Sequence, residues 1–407
     1  MRVNGLQRCP RTVLGRVVFA LISVLLTTSM LEAGPHRAHL SKDLETHLTL
    51  GSNAAVDVIV HGDRALVDRV AARHGIDIRK RLDRGGVLRV DKNQLERLAE
   101  DIEVGQVSGD AVVQAGSFTA AGASGSDRVW QSANRFAAFT GRGVGVAIID
   151  SGIARHQALR GRVVVDVDFT QEGGDGRDQY GHGTAIAGIV AGSQPRNADE
   201  RAGFRSAARS RADDEDEEPF GGVAPGAHLI NLKVLGADGS GQTSDVIEAI
   251  EWAIAYRTRY RIQVINLSLG HPVFEPSSTD PLCQAVDRAV EAGIVVVVSA
   301  GNMGKATDGR RILGGVLVPG NSPRAITVGA IDTHQTPQRS DDTVPGWSSR
   351  GPTLFDELLK PDVAAPGVKI VSLEAEGSFL ARAYPEYHVS GQGTNAYFRL
   401  SGTSMAA

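Results

Sequence analysis

Two cysteines, Cys9 and Cys283, are all that the 407 residues contain. Cys9 falls in a leader-like segment, so no disulfide within a mature chain is expected. Cys283 sits among Leu282, Ala285 and Val286 and reads as a small buried hydrophobe rather than a catalytic thiol. Aromatic residues are scarce, at 5%. An excess of basic charge is missing too: the formal net charge is −4, which argues against a general nucleic-acid binder. The nearly apolar run 17–26 is short for a membrane span. What is plentiful is glycine, with 48 residues, which suits a fold with many tight turns. Hydrophobic residues at 42% and charged residues at 22% are an ordinary globular balance, and the length allows two or more domains.

Residues 1–33 read as an export signal. Arg2, Arg8, Arg11 and Arg16 give a positive start, the run 17–26 follows, and small and polar residues lead to Ala33 and Gly34. An uncleaved anchor is the alternative. A polar lead-in, 34–55, is uninformative. Residues 56–114 carry a βαββαβ-like pattern that predicts a small α+β, ferredoxin-like domain. Strands are expected at 56–60, 76–78 and 87–90, with 104–107 or 111–113 closing the sheet. Helices are expected at 63–74, stopped by Gly75, and at 93–99, with Leu95 and Leu98 turned inward. Such a module is too small to be a catalytic body. The linker 115–129, rich in Ala, Gly, Ser and Thr, reads as flexible and open to proteolysis.

From Trp130 the pattern changes. Apolar strands are expected at 144–149, 229–235, 264–267, 294–298 and 325–331. Helices are expected at 182–191, at 244–256, and in a segment opened by Asp280-Pro281 and stopped by Gly293. Continuous apolar strands alternating with helices predict an α/β body over 130–407, its mainly parallel sheet covered by helices on both faces. Functional groups in such sheets gather at the carboxyl ends of the strands. An insertion, 194–219, runs from Arg201, Arg205, Arg209 and Arg211 into the acidic stretch 213–218. It reads as a solvated loop, because a calcium loop spaces its ligands and includes glycine.

Four places carry chemistry. Asp150 ends the first buried strand of the body, in Ile148-Ile149-Asp150-Ser151-Gly152. His182 opens a helix between glycines, in Asp178-Gln179-Tyr180-Gly181-His182-Gly183-Thr184, where small neighbours leave its imidazole reachable. Asn302 follows a buried strand, in Ser299-Ala300-Gly301-Asn302. Ser404 lies in Ser401-Gly402-Thr403-Ser404-Met405-Ala406-Ala407, which reads as the first turn of a helix, where developing negative charge is stabilised. Each alone is ambiguous. An Asp there also caps turns or binds ribose, a lone His is more often structural, and most Asn residues after strands only make turns. Together they supply a nucleophile, a base, a carboxylate to orient the base and an oxyanion donor.

At these residues the chain resembles the subtilases, the subtilisin-type serine peptidases, over about residues 130–407. The resemblance rests on Asp150-Ser151-Gly152, Gly181-His182-Gly183-Thr184, Ala300-Gly301-Asn302 and Gly402-Thr403-Ser404-Met405-Ala406. It extends to Gly222-Val223-Ala224-Pro225-Gly226-Ala227, Ser348-Ser349-Arg350-Gly351-Pro352 and Lys360-Pro361-Asp362-Val363-Ala364-Ala365-Pro366-Gly367. The order Asp, His, Ser is subtilisin's own. The resemblance implies a subtilisin-like fold and a serine endopeptidase that hydrolyses peptide bonds through an acyl-enzyme. Ser404 would be the nucleophile, His182 the base and then the acid, and Asp150 the group that orients it. Asn302 and the Ser404 N–H would hold the oxyanion. Ser268, Leu269 and Gly270 would pair with the substrate backbone as an added strand. With Ser299, Ala300 and Gly301 they would wall the pocket before the scissile bond, and glycine at 270 and 301 would leave that pocket open to large apolar residues.

The module at 56–114 resembles the family's inhibitory propeptide, which implies a secreted precursor kept inactive by its own chain. The implied partners are protein or peptide substrates and this propeptide, with no nucleic acid, and a membrane only during export. No cofactor is implied. Structural calcium sites are common in the family, but no metal ligands can be assigned here. Ala185 stands where many members carry a second His. The segments 194–219 and 373–400 are longer than in compact members. Members continue past Met-Ala-Ala with a Pro and a long buried helix; three residues after Ser404 are too few to nucleate one, so this chain is expected to lack it and to have weak activity or none.

Three competing readings bear on the same residues. Gly141-x-Gly143-x-Gly145 precedes its strand, the wrong place for a phosphate-binding loop. A sedolisin-type site shares Ser-Gly-Thr-Ser but uses a carboxylate base, where this chain has His182. The functional alternative is an inactive fragment or a protein-binding pseudo-peptidase.

Overall fold

The structure is a computed structural model that describes residues 36–115, 140–170, 176–193, 221–336 and 338–407. The expected export signal 1–33, all but Ala115 of the linker 115–129, and the insertion 194–219 lie outside the described residues.

The small module starts earlier than the sequence pattern suggests. β1 (His39–Leu40) and the helix Lys42–Thr49 occupy the polar lead-in 34–55, whose sequence is uninformative. That helix buries only Leu44, so it leaves almost no periodic trace in the sequence. Then come β2 (Val56–His61), the helix Arg64–His74, β3 (Ile78–Leu82), β4 (Gly85–Val90), the helix Lys92–Glu100 and β5 (Gln106–Gly109). They form a five-stranded sheet in the order β1-β5-β2-β4-β3. Asp63 accepts from Leu66 N to cap the first of these two helices, and Gly75, left-handed at φ 63°, ends it. Asp91 and Gln94 form a capping box on the second. Their apolar faces, with Val67, Val70, Leu95 and Leu98, pack on Val58, Val60, Leu88 and Val90 of the sheet. The strand expected at 76–78 is displaced to Ile78–Leu82, because the turn at Gly75 first sends Ile76 into the core. Of the two closing segments, neither of which matches exact bounds, 104–107 overlaps the strand Gln106–Gly109, which pairs with β2 on one side and β1 on the other. Residues 111–113 instead enter β6 (Val112–Ala115), which leaves the module for the body.

The body strands are β7 (Gly145–Asp150), β8 (Val163–Asp168), β9 (His228–Lys233), β10 (Ser240–Gln242), β11 (Ile262–Leu267), β12 (Leu269–Gly270), β13 (Val295–Ser299), β14 (Ile326–Ile331) and β15 (Val363–Pro366). Seven of them make one sheet, ordered β15-β14-β13-β11-β7-β9-β8 and parallel at every pairing. Alternation along β7 shows how both faces are covered. Ala147 and Ile149 join one core cluster, with Val246 and Ile250 of the helix Thr243–Tyr256 and Leu282 and Val286 of the helix Pro281–Glu291. Val146 and Ile148 join the other, with Ile186 of the helix His182–Ala191. Asp280 caps the helix Pro281–Glu291 through Leu282 N and Cys283 N, both at 2.9 Å. Cys283 is a free, buried thiol, and burial pushes its pKa up, away from nucleophilic use.

Residues 370–400 form a three-stranded antiparallel sheet of β16 (Ile370–Leu373), β17 (His388–Ser390) and β18 (Tyr397–Leu400), with a short helix Phe379–Ala383. The last residues form the first helical turn expected of them: Thr403–Ala406 is helical, closed by Ala407 N to Thr403 O at 3.0 Å. Tertiary packing supports so short a turn, since Thr403, Ser404 and Met405 are buried and the turn rests on β13, β14 and β15.

β8 and β9 lie on one side of β7, while β11 and the later strands lie on the other. The order therefore reverses at β7, and the crevice outside the carboxyl ends of β7 and β11 is where such sheets bind ligands.

Candidate active site

Asp150 is the last residue of β7 and is buried. His182 opens its helix after Gly181, whose backbone at φ 109° suits glycine. Gly183 is required for a different reason: a Cβ there would run into the carbonyl oxygen of Gly152. This close approach of helix to strand end brings the ring to the carboxylate. His182 Nδ1 lies 2.8 and 2.9 Å from the two oxygens of Asp150. Ser151 N also donates to Asp150 Oδ1, at 2.7 Å. A ring bonded to a carboxylate through Nδ1–H carries its basic lone pair on Nε2.

The helical turn Thr403–Ala406 packs against the helix that begins at His182, which carries Ser404 into the same crevice. Ser404 Oγ donates to Ser268 O at 3.1 Å, and Ser268 Oγ donates back to Ser404 O at 3.1 Å. Asn302 is tied to the same turn. Its Oδ1 accepts from Thr403 N at 3.0 Å and Thr403 Oγ1 at 3.1 Å. That fixes the amide's orientation and turns Nδ2 away from these donors. Ser299 ends β13, Ala300 is buried behind it, and Gly301 N donates to Thr403 Oγ1 at 3.0 Å. All the residues singled out from the sequence thus gather at the carboxyl ends of β7, β11 and β13.

One expectation about the pocket is corrected. Glycine at 270 and 301 does not leave open space, because Leu317 lies between them. A Cβ on Gly301 would fall 2.7 Å from Leu317 Cγ, and one on Gly270 would fall 2.5 Å from Val318 O and 3.2 Å from Leu317 Cβ. Leu317 N donates to Ala300 O at 3.1 Å, which anchors this side chain.

The crevice holds an extended peptide from the same chain. β6 lies antiparallel between β10 and β12, with Gln114 opposite both Ser240 and Gly270, and Ala115 opposite Leu269. Ala115 N donates to Gly239 O at 3.0 Å. Val113 and Ala115 are buried and belong to the body's core cluster, while Val112 and Gln114 face outward. The module is held elsewhere as well. Lys80 pairs with Asp245 and Glu248, Asp83 N donates to Glu251, and Asp110 accepts from Ser244.

Sequence reasoning missed Lys233, Asp178, Asp110 and Leu317. Lys233 is fully buried, and its Nζ donates to Ser151 O at 3.2 Å and Gln179 Oε1 at 2.7 Å. A lysine inside the apolar run His-Leu-Ile-Asn-Leu-Lys was the available sign. Asp110 and Leu317 carried none, since their partners are distant in sequence. Among the described residues no group of three or more His, Cys, Asp or Glu side chains is disposed to hold a metal ion.

Fold and site together define the class: a parallel α/β protein with an aspartate, a histidine and a serine at the carboxyl edge of its sheet. The model of the subtilase family matches residues 141–407, and the chain belongs to that family. It is 39% identical over 272 residues to serine protease AprX of Bacillus subtilis (strain 168), covering 66% of this chain and 55% of that protein. It is 30% identical over 329 residues to the extracellular serine proteinase of Thermus sp. (strain Rt41A), covering 79% of this chain and 63% of the relative. The chain thus spans less than two-thirds of the length of these relatives. Its fold is similar to that of fervidolysin from Fervidobacterium pennivorans, described as a keratinolytic enzyme related to subtilisin. The TM-score is 0.64 at 20% identity, over 92% of this chain and 55% of that one.

Proposed function

We propose that this chain is the precursor of a secreted serine endopeptidase, held inactive by its own residues 56–114. The observation that carries the reading is the peptide Val112–Ala115, paired as a strand on both sides, one partner being β12, which directly follows Ser268, the residue whose carbonyl Ser404 bonds. A cleft that holds a backbone in this way recognises polypeptide by main-chain pairing, with alternate side chains entering pockets. In this reading a substrate takes the place of β6 once the module has left.

The mechanism follows from the geometry. Ser404 Oγ turns from Ser268 O toward His182 Nε2, gives up its proton and attacks the scissile carbonyl carbon. Asp150, bonded to Nδ1, keeps the imidazole in the tautomer that accepts at Nε2 and stabilises the imidazolium that forms. Asn302 Nδ2 and the Ser404 N–H donate to the oxygen that gains charge. The orientation of Asn302 is set in advance by its bonds to Thr403, so little reorganisation accompanies the reaction. The imidazolium returns its proton to the leaving amine, and the C–N bond breaks. Water, deprotonated by His182, then hydrolyses the acyl-enzyme ester and frees Ser404. No cofactor takes part in these steps.

Export rests on the signal-like residues 1–33, and the extracellular Thermus relative accords with it. Turnover of a fluorogenic peptide by the purified full-length protein tests the proposal. The expected result is cleavage by the wild type and none by Ser404→Ala. Correctly processed protein that cleaves nothing would instead be a pseudo-peptidase.

A further inference from the structure

Asp178 is buried four residues before His182, and no step above uses it. Its two oxygens collect four hydrogen bonds. Oδ1 accepts from Ser151 Oγ at 2.8 Å and from Gly181 N at 2.6 Å. Oδ2 accepts from Thr184 N at 2.8 Å and from Thr184 Oγ1 at 2.6 Å. Ser151 follows Asp150, while Gly181 and Thr184 bracket His182. One carboxylate is therefore bonded to both segments whose side chains meet as the Asp150–His182 pair.

The hydroxyl directions are set by their other contacts. Gly183 N donates to Ser151 Oγ at 2.9 Å, and Ala154 N donates to Thr184 Oγ1 at 2.9 Å. Each hydroxyl receives an N–H and passes its own proton to Asp178. Four donors thus face one carboxyl group, and only the ionised form accepts all of them. Burial raises the carboxyl pKa on balance, and the bonds from Thr184, Gly181 and Ser151 offset part of that rise. The charges nearby are those of Asp150 and Lys233, whose ammonium bonds the Ser151 carbonyl.

We propose that Asp178 is a positioning residue: a fourfold acceptor that clamps the end of β7 to the start of the helix His182–Ala191, and so sets the bond between His182 and Asp150. The inference rests on the serine peptidase reading for its effect on turnover, and on the geometry alone for its effect on the imidazole.

The test uses the full-length protein with three variants. Asp178→Asn puts an NH₂ donor against groups that are themselves donors. Thr184→Val removes one hydroxyl donor, and Thr184→Ser keeps it. Misplacing reacting groups by about 1 Å costs about 10²-fold in rate, so Asp178→Asn is expected to lower kcat by about that factor at unchanged KM. Thr184→Val is expected to lower kcat by a smaller factor, and Thr184→Ser to restore it. The low-field proton resonance of the His182 Nδ1–H is expected to shift or broaden in Asp178→Asn and Thr184→Val alike. If Asp178→Asn does not fold, judged by its thermal melt, Thr184→Val against Thr184→Ser decides. Wild-type kcat with an unmoved resonance overturns the proposal, as does a rise in KM alone. Should the wild type itself cleave no peptide, the peptidase reading fails separately. The resonance then decides Asp178: displacement upholds the clamp and persistence overturns it.

Discussion

The Asp110 carboxylate accepts from both the backbone N–H and the hydroxyl of Ser244, each at 2.8 Å. Ser244 is the second residue of the helix Thr243–Tyr256, whose own Gln242 provides no side-chain cap. Thr243, beside it, donates through N and Oγ1 to Ala111 O, at 2.9 and 2.7 Å. The small module thus caps a helix of the body, across the junction that opens in the proposed maturation.

Removing that cap is expected to loosen the junction. In a full-length Ser404→Ala background, which cannot process itself in the proposed mechanism, Asp110→Ala is expected to cost about 1 kcal/mol of stability. Chemical denaturation measures the cost, and hydrogen exchange locates it. Exchange at the Ser244 amide should accelerate while exchange in β7 stays unchanged. Equal protection at Ser244 in both proteins would refute the cap.

The same junction is expected to weaken as pH rises. Gln106 Nε2 donates to Glu275 Oε2 at 2.9 Å across it. Burial, above all, pushes the Glu275 carboxyl up to about 7, and the neighbouring Asp280 acts in the same sense. An acid whose pKa is raised stabilises fully below its ordinary value and loses that contribution as pH climbs through the raised one. His61 works in the opposite direction: burial pushes it down to about 4, so its contribution is lost only as pH falls from about 6.5 through 4. Glu275→Gln is therefore expected to stabilise the full-length Ser404→Ala protein at pH 8, on the order of 1–3 kcal/mol, and to leave it unchanged at pH 4. Thermal melts at the two pH values check this, and an equal shift at both would contradict it.

Leu317 is expected to limit the size of the residue accepted before the scissile bond. Leu317→Ala vacates the space between Gly270 and Gly301. The ratio of kcat/KM for a peptide with Phe at that position to one with Ala is expected to rise about tenfold or more, by the usual worth of apolar pocket contacts. An unchanged ratio would place the pocket elsewhere.

Asn302→Ala is expected to lower kcat by about 10²–10³ while leaving KM near the wild-type value, which is the cost of losing one such donor in subtilisin itself. Steady-state kinetics on the folded variant check it. A loss confined to KM would assign Asn302 to substrate binding.

Much of this arrangement is legible in the sequence where the signal is local. The helix His182–Ala191 spans the residues expected from its apolar pattern, and the glycines around His182 mark a close backbone approach. The five inner strands of the large sheet are legible from their apolar runs, whereas the edge strands β8 and β15, half-exposed, left no such run and were not expected. β3 is not, since Ile-Arg-Lys-Arg-Leu looks polar; Lys80 spends its charge on Asp245 and Glu248 in the body. β6 was hidden because its partners, β10 and β12, lie far along the chain. The bonds of Asp178 to Ser151 span 27 residues and need the folded crevice to exist. Glycine at 270 and 301 suggested open space, and only the packing reveals that a Cβ at either position would meet Leu317.

The central claim is that Ser404 is a nucleophile activated by His182 and Asp150. Intact-mass and peptide-mass analysis after treatment with a serine-directed phosphonate tests it most directly, on protein produced full-length and then processed to release its module. The predicted result is a single adduct, on Ser404, that is absent in Ser404→Ala and formed far more slowly in His182→Ala. An unlabelled protein, or an adduct on another residue, would contradict it.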